Sequence, residues 1–278
     1  MNKPQHWSNC DYRIKEYING FINLLKYNLR ENLKGIYLHG SLAMGCYYYP
    51  KSDIDVIAVV YSDLPPEHAS ALNYSIAQYS EVRPIFGSIE FSLINAEMAK
   101  TVPSRIKYIL HYSSSWHERI LNGRVSYSND MTDLDLSAHL SVLKRRGICL
   151  YGEKIDSTFG DVKWSDYVFA VADDLKWILE EENICESPYY GILNICRAVQ
   201  MLTENNGLCL SKDEGGNWGL THFPLQYQGL IQQALDAYHS DAYPQNEYER
   251  KTGVLTWNSH ELLIFRDYIK SSYMKLQY

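Results

Sequence analysis

The stretch HGSLAMGCYYYPKSDID, residues 39–55, joins two predicted strands and decides how the N-terminal half of the chain folds. It follows the short strand GIYLHG and leads into SDIDVIAVVY, which is apolar and β-branched beyond its aspartates, as a strand in the core of a sheet is. Side chains two residues apart on a strand point to the same side, so we expect Asp53 and Asp55 to project together. The Gly40-Ser41 pair predicts a tight turn that opens a short helix and offers N–H groups and a hydroxyl to phosphates.

The Asp53 and Asp55 pair predicts a metal site. Two neighbouring carboxylates repel each other unless a cation lies between them, and hard oxygen ligands of this kind suit Mg²⁺, which also binds substrate phosphates. An Asp-x-Asp pair alone is weak evidence, because most such pairs are solvated loop residues. The combination is more specific: a strand that ends in Gly-Ser, an intervening segment, and an Asp-x-Asp that opens an apolar strand. In this combination the chain resembles the nucleotidyltransferase superfamily.

Members of that superfamily commonly carry a third carboxylate on a neighbouring strand, and Glu90 in SIEFSL has the matching context. Its role would be to accept a proton from an attacking hydroxyl or to share the metal with Asp53 and Asp55. Considered alone, Glu90 is equally well interpreted as an exposed strand residue.

The pattern along the chain predicts an α+β protein of two domains. A helix from Asp11 to about residue 30, strands at GIYLHG, SDIDVIAVVY and residues 87–94, and a helix after PPEH make a mixed α/β unit. Helical patterns follow at about 164–183, 188–204, 223–239 and 256–276. We therefore predict a nucleotidyltransferase domain at residues 1–156 and an α-helical bundle domain at residues 157–278, which holds the substrate and closes over the nucleotide.

Composition restricts the class of function. With 46% hydrophobic and 21% charged residues, the chain is typical of soluble globular proteins. The formal net charge of -7 argues against a surface for duplex nucleic acid and favours small cationic or metal-chelated partners. We expect a cytoplasmic protein, since no apolar run resembles a signal peptide or a membrane span, and we assign neither zinc nor a disulfide to the six scattered cysteines.

Over most of its length the chain is similar to the aminoglycoside (3'')(9)-O-adenylyltransferases, the streptomycin and spectinomycin adenylyltransferases. Besides YLHGS and SDIDVIAVV, the runs SIEFSLI, SSWHERI, LNICR, LSKDEGGNW and LQYQGLI resemble that family in order and spacing. The resemblance implies that Gly40, Ser41 and Ser52 bind the phosphates of ATP, that Asp53 and Asp55 hold Mg²⁺ with Glu90 beside them, and that Glu90 is the catalytic base.

The resemblance also implies roles for residues in the later runs. Arg197, Lys212 and Tyr238 match positions where the family's helical domain closes over the nucleotide, and Trp116 matches an aromatic residue that packs on the antibiotic. Without the resemblance, the Arg and the Lys would be interpreted as solvated surface residues and the Trp as part of the core.

The chain departs from the family at several positions. His39 stands where relatives usually carry an aromatic residue before Gly-Ser, and its ring can alter the phosphate site or only pack. The segment EEENICESPYYG, residues 180–191, lacks the Trp and the Asp that relatives use for streptomycin. Ser187 replaces that Asp, and the adjacent Glu186 is a candidate to supply the missing charge against a cationic sugar.

These observations predict an ATP-dependent O-adenylyltransferase that moves AMP onto a hydroxyl of an aminoglycoside-type antibiotic, with spectinomycin favoured over streptomycin. The expected partners are ATP and a small cationic antibiotic, with no nucleic acid and no membrane, and we expect a monomer. One alternative is the same chemistry on another acceptor, such as a protein side chain or an RNA end. Another is a non-catalytic, antitoxin-like nucleotide-binding module, which is disfavoured because the chain keeps all three carboxylates.

Overall fold

A five-stranded mixed sheet organises the N-terminal part of the computed structural model, which describes residues 3–128, 130–204 and 207–273. The strands are β1 (Leu33–His39), β2 (Ile54–Val60), β3 (Ile89–Asn95), β4 (Ile106–Lys107), β5 (Leu110–Tyr112), β6 (Thr132–Asp133) and β7 (Ile148–Gly152). The order in the sheet is β5-β3-β2-β1-β7, in which β2 and β3 are parallel and the other neighbours are antiparallel. Strands β4 and β6 form a separate antiparallel pair.

The three central strands read as continuous apolar runs because both faces of the sheet are covered. The helices of this region are α1 (Tyr12–Leu29), α2 (Gly40–Met44), α3 (Pro66–Ser80), α4 (Ala96–Thr101), α5 (His117–Leu121), α6 (Leu136–Arg146) and α7 (Ile155–Thr158). On one face of the sheet, Val56 and Phe91 join a core cluster with Phe21 from α1 and Leu72 from α3. On the other face, Ile57 packs in a second cluster under α6.

The predicted N-terminal helix is confirmed, together with its cap. Asp11 lies at the N-cap of α1, and its side chain accepts a hydrogen bond of 2.9 Å from the N–H of Arg13. This bond satisfies one of the backbone donors that a helix N-terminus leaves without an intrahelical partner.

The remaining described residues are almost entirely helical. Their helices are α8 (Trp164–Ile178), α9 (Glu181–Glu186), α10 (Pro188–Glu204), α11 (Lys212–His222), α12 (Leu225–His239), α13 (Glu247–Thr252) and α14 (Ser259–Ser272). The chain divides into two compact units, residues 5–167 and residues 168–278 together with residues 1–4, so α8 contains the point of division. The boundary predicted between residues 156 and 157 lies inside the first unit.

The prediction of one helix at about 164–183 is wrong, because the chain leaves the helical conformation between α8 and α9. Glu180 has an extended ψ of 143°, and the side chain of Asn183 donates to the carbonyl of Trp177 at 2.7 Å. An amide side chain that bonds the end of the preceding helix offers the backbone an alternative to continuing it.

Helix α11 was not predicted, because its three glycines lower helix propensity. Tertiary packing explains them: a Cβ on Gly216 would lie 2.6 Å from a methyl of Leu235, and one on Gly219 would lie 2.6 Å from the sulfur of Cys196. The helix begins in a capping box, in which Ser211 and Glu214 bond each other's backbone N–H groups.

The α+β prediction is confirmed, since a mixed sheet with helices is followed by a helical bundle. Three of the sheet's strands were predicted, whereas β5, β7 and helix α6 were missed. No helix among the described residues has the length and apolarity that a membrane crossing requires.

Candidate active site

Three polar residues form a row across the central strands, which we call the carboxylate row: His39, Asp55 and Glu90. Asp55 on β2 is the register partner of His39 on β1 and of Glu90 on β3. Register partners on adjacent strands project to the same face with neighbouring Cβ atoms. Asp55 and Glu90 therefore lie side by side at one end of the sheet, next to the turn that follows β1.

Asp53 joins this group from outside the strand. β2 begins at Ile54, so Asp53 precedes the strand on which it was expected to lie. Its Oδ1 accepts a hydrogen bond of 2.6 Å from the N–H of Ser88, just before β3. This bond orients the carboxylate toward the end of β3, and its negative charge still acts on Glu90.

Gly40 is required where β1 turns into α2. Its φ is +63°, and an added Cβ would lie 1.8 Å from Oδ2 of Asp55. The position therefore favours glycine both for its backbone conformation and for the close approach of the carboxylate. Ser41 follows in the first turn of α2, where its carbonyl accepts the N–H of Cys46 at 3.0 Å.

Ser52 is buried and closes the loop that leads to the aspartates. Its Oγ accepts from the N–H of Tyr48 at 3.1 Å, and its own N–H donates to the carbonyl of Tyr48 at 2.9 Å. These two bonds fix Ser52 in the loop that precedes Asp53, and its phosphate contact stays a prediction.

The members of the carboxylate row differ in the direction in which their surroundings shift their pKa values. Burial raises the pKa of Glu90 to about 7, and the negative charges of Asp53 and Asp55 act in the same direction. Burial lowers the pKa of His39 well below its usual value, and the nearby His139 lowers it further. Glu90 is consequently a carboxyl group with a proton affinity close to neutral pH, which is suited to proton transfer.

The donor atoms fit a divalent cation of the magnesium type. Among the described residues, no three or more His, Cys, Asp and Glu side chains are grouped as a ready metal cage. Mg²⁺ does not need such a cage, since it is usually bound by one or two carboxylates together with waters and substrate phosphates. The mutual repulsion that raises the pKa of Glu90 is relieved when a cation binds.

Sequence reasoning missed His139 and Asp135, which lie at the start of α6. Nε2 of His139 is 2.9 Å from Oδ2 of Asp135, one helical turn earlier, and its ring centroid is 5.1 Å from that of His39. Burial opposes protonation of His139, but Asp135, Asp55 and Glu90 outweigh it and raise its pKa to about 10. The Asp-x-x-x-His spacing in DLSAH was the available signal, but it has meaning only on a helix.

Trp116 packs against the core cluster that contains Val56 and Phe91, on the face opposite to the carboxylate row, and also contacts His111 on β5. On β3 the residue after next from Glu90 is Ser92, whose Oγ is 3.0 Å from Nδ1 of His111 on β5. The His111 ring meets Trp116 edge-on at 5.7 Å, and Arg119 covers the indole at 4.9 Å. Side-chain contacts therefore connect Trp116 to Ser92, two residues along β3 from Glu90, and the indole is half-buried.

The C-terminal unit brings Lys212 and Tyr238 together. Nζ of Lys212, at the start of α11, lies 5.0 Å from the ring centroid of Tyr190 and 5.7 Å from that of Tyr238. Rings at these distances stabilise the ammonium through cation–π attraction. Arg197 on α10 packs against α11, since an added Cβ on Gly215 of α11 would lie 2.5 Å from Cγ of Arg197. Its guanidinium donates to Oδ1 of Asn194 at 2.7 Å.

Glu186 and Ser187 end helix α9. A carboxylate oxygen of Glu186 is 2.7 Å from Nζ of Lys251, in a pair whose side chains are 58% and 33% exposed. The N–H of Ser187 donates to the carbonyl of Asn183 at 3.0 Å. The charge of Glu186 is thus already matched by a lysine, and a cationic ligand has to compete with that lysine for it.

Comparison with known proteins gives consistent results. The model of the aminoglycoside adenylyltransferase C-terminal domain matches residues 157–257. A spectinomycin 9-adenylyltransferase of Enterococcus faecalis is 26% identical over 229 residues, which cover 80% of this chain and 86% of that relative. An aminoglycoside (3'') (9) adenylyltransferase of Klebsiella pneumoniae is 22% identical over 238 residues, or 81% and 86% of the two chains.

A solved structure shows the same fold. The crystal structure of an Enterococcus spectinomycin adenyltransferase, AAD(9), with ATP and spectinomycin superposes with a TM-score of 0.72 at 21% identity, covering 91% of this chain and 99% of that one. This likeness covers the mixed sheet as well as the helical region that the family model matches. The chain is thus similar to the aminoglycoside adenylyltransferases: residues 157–257 match the model of their C-terminal domain, and about four fifths of the chain aligns with the two relatives.

Proposed function

We propose that this enzyme transfers AMP from ATP to a hydroxyl group of spectinomycin, and so confers resistance to that antibiotic. The observation that carries the proposal is the register pairing of Asp55 with Glu90 directly beside Gly40. A carboxylate pair of this kind next to a Gly-Ser turn serves a reaction at a metal-bound phosphate. The names of the relatives supply the acceptor class: a spectinomycin 9-adenylyltransferase and aminoglycoside (3'') (9) adenylyltransferases.

The reaction follows from the chemistry of the groups. The acceptor hydroxyl oxygen attacks the α-phosphorus of ATP, a new phosphorus–oxygen bond forms, and the bond to the bridging oxygen breaks, so that pyrophosphate leaves with that electron pair. Glu90 takes the hydroxyl proton, a role for which a pKa of about 7 is favourable. The products are the AMP ester of the acceptor and pyrophosphate.

Mg²⁺ is the metal that the donor set suits best; Asp53 and Asp55 would hold it, with Glu90 adjacent. When bound, it would neutralise negative charge that develops on the phosphate oxygens. Gly40 and Ser41 would contribute backbone N–H groups to the phosphates, and Ser52 its hydroxyl. Arg197, Lys212 and Tyr238 are proposed to bind the nucleotide; the packing of Lys212 against two tyrosine rings supports a fixed direction for its ammonium group.

Spectinomycin is favoured over streptomycin because residues 180–191 lack the Trp and the Asp that the family's streptomycin-modifying members use. Ser187 stands where the family's streptomycin-modifying members carry an aspartate, and Glu186 is paired with Lys251 at 2.7 Å. Streptomycin carries two guanidinium groups and depends more strongly on charge-assisted hydrogen bonds than spectinomycin does. Trp116 is proposed as the aromatic surface for the antibiotic.

The test is pyrophosphate release by the purified enzyme with ATP and Mg²⁺, against spectinomycin, streptomycin and other aminoglycosides. We expect release with spectinomycin and loss of it in Glu90→Gln. Glu16→Gln, an exposed change of the same type on α1, is the matched control and should retain full activity. Release with streptomycin alone would refute the acceptor assignment, and release that persists in Glu90→Gln would refute the assigned base.

A further inference from the structure

The ends of three helices meet around Lys212. This lysine is the first residue of α11, and its Nζ lies near the rings of Tyr190, at the start of α10, and Tyr238, at the end of α12. Tyr238 in turn stacks on Tyr189, with ring centroids 6.2 Å apart. Lysine has a flexible four-carbon stem, and the rings attract its ammonium group only while they stay within about 6 Å of it. The direction of the ammonium group therefore depends on how firmly these helix ends are held together.

A carboxylate–imidazole pair joins two of these helix ends beside the lysine. Asp213 is the residue after Lys212, His239 is the residue after Tyr238, and Oδ1 of Asp213 is hydrogen-bonded to Nε2 of His239. Because a carboxylate only accepts hydrogen bonds, Nε2 of His239 carries a proton and donates it. The two side chains are 19% and 22% exposed, so the bond is partly shielded from water.

The Asp213 end of the pair is itself fixed. The capping box of Ser211 and Glu214 holds the backbone at the start of α11, and Nδ2 of Asn217 donates to the carbonyl of Asp213 at 2.8 Å. A carboxylate in the first turn of a helix is also stabilised by the partial positive charge of the backbone there. The bond to His239 therefore ties the end of α12, which carries Tyr238, to a rigid helix start.

We propose that Asp213 and His239 are positioning residues, whose hydrogen bond holds Lys212 and Tyr238 in the arrangement that binds the nucleotide. This inference rests on the nucleotide contacts proposed above for Lys212 and Tyr238. It assigns to Asp213 and His239 no contact with ATP or with the acceptor. Breaking the bond keeps both nucleotide-binding side chains but lets the two helix ends move relative to each other, so the ammonium group loses its fixed direction.

A purely structural role of the pair predicts a different result. If the bond only stabilised the helical bundle, its loss would change ATP binding by the same factor whether or not Lys212 is present. If the bond acts through Lys212, its loss weakens ATP binding only while Lys212 is present, because the effects of residues that act together do not add. The test is therefore a double-mutant cycle between His239 and Lys212.

Two variants separate the hydrogen bond from the ring. His239→Phe keeps an aromatic ring without the donor, and His239→Gln restores an N–H donor. His239→Phe is also made in the Lys212→Met background, and His260→Phe, an exposed change of the same type on α14, is the control. The readout is the Kd of an ATP analogue with an α,β-methylene bridge, measured by calorimetry with Mg²⁺ and no acceptor. Melting temperatures without ligand identify any general loss of stability.

For His239→Phe we expect Kd to rise at least about threefold, which is part of the effect of at least about tenfold expected for Lys212→Met. In the Lys212→Met background, the same change should alter Kd by less than about 1.5-fold. His239→Gln should lie closer to wild type than His239→Phe does, and His260→Phe should equal wild type.

An unchanged Kd in His239→Phe, or the same fold-change in both backgrounds, would overturn the inference while leaving the proposed function intact. A Kd for Lys212→Met equal to that of wild type would overturn the inference together with the proposed nucleotide contact of Lys212. Failure of wild type to bind the analogue would overturn both the inference and the proposed use of ATP.

Asp213→Asn decides the question if His239→Phe does not fold. This change keeps the shape of the side chain but weakens the bond to His239, because the acceptor loses its charge. A rise in Kd of about twofold or more that disappears in the Lys212→Met background supports the inference, and an unchanged Kd refutes it.

Discussion

Replacing Gly40 by alanine tests whether the turn after β1 is built around the Asp55 carboxylate. The added Cβ would lie 1.8 Å from Oδ2 of Asp55, far below the 3.0 Å that real Cβ contacts respect. Asp55 therefore has to move by more than about 1 Å, and a displacement of this size at a reacting centre costs on the order of 100-fold in rate. The left-handed backbone, with φ at +63°, adds strain of about 1 kcal/mol for any residue with a Cβ.

Gly123 provides a control that separates the two effects. It has the same φ of +63°, yet an added Cβ there meets nothing within 4 Å. Gly123→Ala should therefore lose only about 1 kcal/mol, or roughly 3 °C in melting temperature, and keep its kcat. Gly40→Ala should lose at least as much stability and about 100-fold in kcat for AMP transfer.

The assay is steady-state pyrophosphate release with saturating ATP, Mg²⁺ and spectinomycin, alongside thermal melts of both variants in EDTA. The melts identify which part of the loss is backbone strain, since that part is common to both glycines. A wild-type kcat in Gly40→Ala would refute the argument that its missing Cβ makes room for a functional carboxylate. An equal loss of kcat in Gly123→Ala would refute it as well.

Three further predictions concern the proton on Glu90, the lysine on α11 and the cap of that helix. Because the pKa of Glu90 is raised to about 7, the folded state holds this proton more tightly than the unfolded state, so the stabilising effect of the proton is complete at acidic pH and is lost as pH rises through about 7. Melting curves in EDTA should show this decline in wild type and not in Glu90→Gln, and parallel pH dependences of the two proteins would contradict the prediction. Lys212→Met should raise KM for ATP at least about tenfold, because a charge-assisted contact is lost, while the exposed control Lys176→Met should leave KM unchanged. Equal KM values in wild type and Lys212→Met would remove Lys212 from the nucleotide site. Ser211→Ala should lower the melting temperature by about 3 °C through loss of the capping box, and an unchanged value would mean that the cap contributes no stability.

The local sequence pattern was sufficient to predict the central strands and the approximate position of the carboxylates. Continuous apolar runs predicted β1, β2 and β3, because strands that are buried on both faces leave that signature. The pairing of Asp55 with Glu90 could not be predicted in the same way. It depends on the register between β2 and β3, which is set by packing across the whole sheet.

The elements that were missed are those whose signal lies in tertiary contacts. Helix α11 contains three glycines, and the close packing that requires them is visible only once the positions of the neighbouring helices are known. The short edge strand β7 is mostly exposed, so it lacks the apolar run of the central strands. His139 went unnoticed because its significance depends on the face that α6 covers, even though Asp135 lies one helical turn before it.

The most direct test of the account is formation of the AMP ester of spectinomycin by wild type and by Asp55→Asn, followed by mass spectrometry with ATP and Mg²⁺. The two proteins should first be shown to melt cooperatively and to have the same circular dichroism. The account predicts the AMP adduct with wild type and loss of it with Asp55→Asn. An adduct formed by Asp55→Asn at the wild-type rate, or none with wild type, would contradict the claim that the carboxylates on β2 and β3 carry adenylyl transfer to this antibiotic.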